Sequence, residues 1–117
     1  MDNVKDNREK PINPRAKRIW ERDFGDEESA EDYSGRPMCK NEYGNRKSES
    51  GWNLDHLCPK SKGGKTTVDN LICCNIKTND EKADRFPVYH ANEKRFELIK
   101  VRKHCYKIRG ADHPNQK

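Results

Sequence analysis

The chain has 117 residues, about one domain's worth, of which 38% are charged and only 30% hydrophobic, with a mean hydropathy of −1.38. Such a chain buries one modest core; no apolar run approaches the ~18 residues of a membrane span, and Met1 to Lys10 is too polar for a signal peptide, so a soluble, cytoplasmic protein with no membrane partner is expected. The formal net charge is +5 and the pI about 9.0, with seven basic and ten acidic residues through Gly35 but eighteen and ten from Arg36 onward, so a polyanionic partner would meet the last two thirds of the chain.

Residues 1–12 are polar, without apolar period, and read as a flexible arm. Asn13 and Pro14 read as an N-cap and first-turn proline. Ala16, Ile19, Trp20 and Phe24 recur at helical spacing and Gly25 follows as a stop, which predicts a helix over Pro14 to Phe24 with Trp20 inward. Glu21 to Asp32 holds seven carboxylates against Arg22 alone, and its simplest reading is a solvated surface. From Asp26 to Asn45 no period persists among Gly35, Pro37 and Gly44, so loop with at most one helical turn is expected.

Trp52 and Leu54 alternate with polar neighbours, predicting a strand over Gly51 to Leu57 that Pro59 stops. Lys60 to Asp69 is a basic loop around Gly63 and Gly64, and Leu71 to Cys74 suits a buried strand. Asn75 then caps a polar helix over Ile76 to Arg85, ended by Pro87. Val88 to His90 and Phe96 to Val101 flank a polar turn and read as a hairpin, with Cys105 to Ile108 as further strand material and residues 110–117 as a tail. The fold class is therefore α+β, with one domain over residues 13–109.

The polar residues of the middle segment fall at informative places. Asp55 and His56 end the first strand, Asn70 opens the second, and Asn79 lies one turn into the helix. Phosphodiester hydrolysis needs a base that deprotonates water and a cation that neutralises charge on the phosphoryl group and the leaving oxygen. Neutral imidazole suits the first task near pH 7, and the hard oxygens of Asp and Asn suit Mg²⁺ for the second. Singly, each of these residues is an ordinary strand-end or helix-surface group. Adjacent strand residues also point to opposite faces, so Asp55 and His56 meet one phosphate only where the strand ends or bends, as Pro59 allows.

Jointly they are specific. Trp52 to Phe86 (WNLDHLCPKSKGGKTTVDNLICCNIKTNDEKADRF) resembles the HNH endonuclease motif, the ββα-metal nuclease module, through Asp55, His56, Pro59, Lys60, Ser61, Gly63, Gly64, Asn70, Leu71, Asn79 and Lys82. The resemblance implies a ββα-metal core flanked by the N-terminal helix and the C-terminal hairpin, and a small stand-alone enzyme of bacterial or phage type. It makes His56 the general base and Asp55 a ligand of the divalent cation. Asn70 becomes the central residue that braces the His-bearing loop, and Asn79 the second metal ligand, an H-N-N variant. An amide oxygen tilts the cation toward Mg²⁺ or Mn²⁺. Many family members also clamp a structural zinc with two Cys-x-x-Cys pairs. Here those places hold Cys39 with Glu42 and Asn75 with Thr78, so no structural zinc is expected and the flanking helix and hairpin should supply the missing core. Five cysteines, two of them adjacent, do not suggest a disulfide framework.

Lys60, Lys62 and Lys65 in the loop and Lys77, Lys82 and Arg85 on the helix are candidate phosphate contacts. His90, His104 and His113 match no family position. The resulting expectation is a DNA endonuclease whose single site nicks one strand per encounter, with RNA open as a substrate and the oligomeric state, monomer or homodimer, undetermined. A catalytically weak nucleic-acid-binding module within a larger complex is the alternative, though the complete set Asp55, His56, Asn70 and Asn79 speaks against it; a secreted nuclease toxin is a lesser one.

Overall fold

The computed structural model describes residues 12–110, so the expected arm and tail lie outside the described residues except for Ile12 and Gly110. The first element, α1 (Pro14–Phe24), has the predicted bounds. Asn13 Oδ1 accepts from Ala16 N at 2.7 Å, Pro14 occupies the first turn, and Gly25, at φ 63°, closes the helix by donating to Glu21 O. Ala16, Ile19 and Trp20 form its buried stripe, and the Trp20 indole N–H is satisfied by Glu27 O at 2.9 Å.

The segment expected to be loop contains a small antiparallel hairpin, β1 (Ser29–Glu31) and β2 (Pro37–Cys39), followed by a 3₁₀ turn over Lys40–Glu42. Three-residue strands are too short to show an alternating pattern. What holds them is Asp32, a member of the acidic block but 3% exposed. Its Oδ1 accepts from the backbone of Ser34 and Arg36 and from Ser34 Oγ, and its Oδ2 accepts from Asn75 N at 3.0 Å. The solvated-surface reading of the acidic block therefore fails at Asp32, which ties the hairpin to the middle of the chain.

β3 (Trp52–His56) and β4 (Leu71–Asn75) pair antiparallel, from Trp52 opposite Asn75 to His56 opposite Leu71, within two residues of the predicted bounds. The basic loop between them contains 3₁₀ turns over Lys60–Lys62 and Val68–Asn70. Gly63 stands at φ 94°, and a Cβ on Gly64 would fall on Cys58 O, so the loop needs both glycines. α2 (Ile76–Lys82) is capped by Asn75, whose Oδ1 accepts from Lys77 N, and is three residues shorter than expected. The chain leaves the helix at Ala83, at φ 51°, a departure that no Gly or Pro announces before Pro87.

The C-terminal hairpin carries a third strand. β5 (Val88–Ala91), β6 (Lys94–Arg102) and β7 (Cys105–Arg109) form an antiparallel sheet in that order, and the expected five-residue turn contracts to Asn92 and Glu93, both at positive φ. The whole is α+β. Two apolar clusters flank the β3–β4 hairpin. One joins Leu71 and Cys73 with α1, Met38 and Trp52; the other joins Ile72 and Cys74 with Tyr33, Leu57, Tyr89, Phe96, Leu98 and Ile108. The flanking helix and sheet do supply core on either side, as expected.

The two positions where family members place the second cysteine pair are occupied by polar ties. Asn75 Nδ2 donates to Pro37 O and Glu49 O, both at 2.8 Å. Thr78 Oγ1 meets Ser34 Oγ at 3.1 Å and accepts from Arg36 Nη1 at 3.2 Å, while Arg36 also pairs with Glu81. Hydrogen bonds thus join β4 to β2, and α2 to the turn that precedes β2, at this corner. Among the described residues no three His, Cys, Asp or Glu side chains converge on a common metal position.

Candidate active site

His56 is the last residue of β3, so its ring emerges where the ladder ends and the loop begins. It is half-buried, and Nε2 lies 2.8 Å from Thr66 Oγ1 on that loop. Partial burial, followed by the nearby cations Lys60, Lys82 and Arg15, lowers its pKa below the usual imidazole value and favours the neutral ring.

Asn70 fixes the loop's shape. It is fully buried; its Oδ1 accepts from Cys58 N at 2.9 Å, and its Nδ2 donates to Cys58 O at 3.0 Å and to Lys65 O at 2.9 Å. One amide therefore spans both limbs of the loop, which is what the resemblance implied for the central Asn. Leu57 N also donates to Asn70 O, extending the link between the two strands one residue beyond the ladder.

Asp55 projects toward α2. Its carboxylate lies 3.2 Å from Lys82 Nζ, and Oδ2 is buried without an aligned hydrogen bond. Burial pushes this carboxyl up to about 6, with Lys82 acting in the opposite direction. Asn53, two residues earlier and on the same face of β3, accepts from Asn79 Nδ2 at 2.8 Å. Asp55 and Asn79 thus share the cleft between β3 and α2. The side chain hydrogen-bonded to the His56 ring is Thr66, on the loop.

Lys82 departs from its expected role. Its side chain is fully buried, with the ammonium donating to His56 O at 3.1 Å, paired with Asp55 and 5.5 Å above the Tyr89 ring centre. It cannot grip phosphate from there; it braces the end of β3 from beneath. The remaining candidates, Lys60, Lys62, Lys65, Lys77 and Arg85, are exposed. Lys60 to Lys65 surround the His56 end of the hairpin. Lys77 instead borders a groove of about 560 Å³ with Arg46 and Lys47 at the opposite end, about 13 Å of strand away. Arg85 Nη1 donates to Glu81 O. His90 is exposed on β5, His104 sits in the turn after β6 at φ 59°, and His113 lies outside the described residues. Thr66, Asn53 and Asp32 carried no recognisable sequence signal.

Residues 32–88, which include Asp32, β3, the loop, β4 and α2, match a family model described as HNH endonuclease. The match over these residues supports membership of the HNH endonuclease family. No curated protein and no solved structure matches it.

Proposed function

We propose that residues 13–109 form a single metal-dependent endonuclease domain that hydrolyses DNA phosphodiester bonds, with β3, β4 and α2 as a ββα-metal core. The observation that carries the reading is the His56 imidazole: half-exposed at the end of a strand, biased toward its neutral form by burial and by the nearby Lys60, Lys82 and Arg15, and followed by a loop that exposes Lys60, Lys62 and Lys65. In this role it takes a proton from water as the water oxygen attacks phosphorus in line. Asp55 and Asn79 would hold the divalent cation, Mg²⁺ or Mn²⁺. The fit rests on the buried Asp55 Oδ2, which faces the Lys82 ammonium at 3.2 Å without an aligned hydrogen bond, and on the hard oxygen donors available in that cleft. A bound cation supplies charge neutralisation at the phosphoryl group and the leaving oxygen. Lys60, Lys62, Lys65, Lys77 and Arg85 would contact phosphates along the strand.

Supercoiled plasmid incubated with Mg²⁺ or Mn²⁺ tests the reading. Open circles should precede linear product, and EDTA should stop the reaction. Cleavage unchanged by EDTA would remove the metal from the mechanism, whereas a salt-sensitive DNA complex without turnover in any metal would favour the binding-module alternative. The pH profile follows from the same groups. Asp55, raised to about 6, must be ionised to bind a cation, and His56 must be neutral to accept a proton, so both requirements fail in the same direction. The cleavage rate at limiting metal should therefore fall as pH drops below about 6. A rate that is flat from about pH 5 to 8 would contradict both assignments.

A further inference from the structure

We propose that Thr66 is a positioning residue for His56: its hydroxyl oxygen accepts from Nε2–H and so leaves the Nδ1 lone pair to take the proton from water. The proposal rests on the reading of His56 as general base and adds the side chain that holds the ring for that task. The starting observation is the 2.8 Å separation of His56 Nε2 and Thr66 Oγ1. A hydroxyl can donate or accept, so the contact alone permits two neutral tautomers. If Thr66 donated to Nε2, the ring proton would sit on Nδ1 and neither nitrogen could act as a base while the contact held. If Thr66 accepts, Nδ1 is free. As the O–H bond of water breaks, the new N–H bond forms at Nδ1, and the imidazolium keeps its original proton on Nε2, still donated to the Thr66 oxygen.

Thr66 is also held in place. Asn70 Nδ2 donates to Lys65 O, the carbonyl immediately before Thr66, at 2.9 Å, and the other side of the same amide is bound to Cys58. At its own backbone His56 is fixed from the opposite side by Lys82 Nζ on its carbonyl. The buried Asn70 therefore reaches His56 through Thr66: amide to loop carbonyl, loop to hydroxyl, hydroxyl to ring. This gives the central Asn a consequence at the reacting nitrogen although it does not touch the ring itself.

Nitrogen-15 NMR of the ring nitrogens in the metal-free protein, at about pH 8 where an imidazole is neutral, tests the proposal without any turnover. Wild type and Thr66→Ser should show the Nε2–H tautomer, and Thr66→Val should show a mixture or the reverse. Thr66 is exposed, so neither exchange opens a core cavity. In plasmid nicking, Thr66→Val should lower kcat about ten- to a hundredfold with KM little changed, and Thr66→Ser should restore it. An Nδ1–H tautomer in wild type, or a Thr66→Val spectrum identical to wild type, overturns the proposal. Failure of the general-base reading is detected separately, by nicking that survives loss of the imidazole.

Discussion

Replacing His56 with alanine should lower the rate of plasmid nicking by about 10²- to 10⁴-fold, the usual contribution of a positioned general base. The fold should survive the change. His56 is the half-buried terminal residue of β3, its backbone pairing with Leu71 does not need the ring, and the bond from Lys82 goes to its carbonyl. DNA affinity should also be little altered, because the phosphate contacts are assigned to the surrounding lysines. Loss of cleavage with retained binding and an unchanged melting curve would place the imidazole in the chemical step. Equal cleavage by the two proteins would refute the assigned base.

The second large effect belongs to Lys82. Removing its ammonium in Lys82→Ala leaves the Asp55 carboxylate buried without a partner, a change that costs about 3–5 kcal/mol against a total stability of about 5–15 kcal/mol. Two further contacts disappear with it, the bond to His56 O and the cation over the Tyr89 ring. Urea denaturation should show the loss, and Asp55→Asn combined with Lys82→Ala should recover part of it, since the double variant no longer buries a lone charge. A loss below about 1 kcal/mol with strictly additive single effects would mean an exposed pair of the ordinary kind. Such a result would return Lys82 to the surface role its sequence context suggested.

The contrast between these two residues shows what the sequence could reveal. His56, Asn70 and their loop were legible because local chemistry fixes them. Gly63 and Gly64 are required by backbone geometry, and the Asn70 amide acts within its own loop, on residues five and twelve positions away. α1 was legible to the residue because cap, apolar stripe and stop agree. Lys82 was misjudged because a lysine on a charge-laced helix is usually solvated, and only the tertiary position of Asp55 turns it inward. β1 and β2 were hidden because their stability comes from Asp32 reaching Asn75 across the fold rather than from pattern within either strand. Thr66 was invisible for the same reason: one hydroxyl in a polar loop matters only once the loop is folded onto the end of β3.

Every residue of β4 is buried, and its side chains alternate between the two apolar clusters, Leu71 and Cys73 into one, Ile72 and Cys74 into the other. A composition this poor in apolar residues does not favour two independent cores, because small clusters gain too little from burial to offset chain entropy. Sharing one strand as a party wall makes each cluster the support of the other. The expected consequence is cooperativity: the α1 side and the three-stranded-sheet side should melt in one transition, because both pack on the strand that pairs with the one bearing Asp55 and His56. Asp55 and His56 are thereby mounted next to a fully buried strand in a domain that has little core to spare.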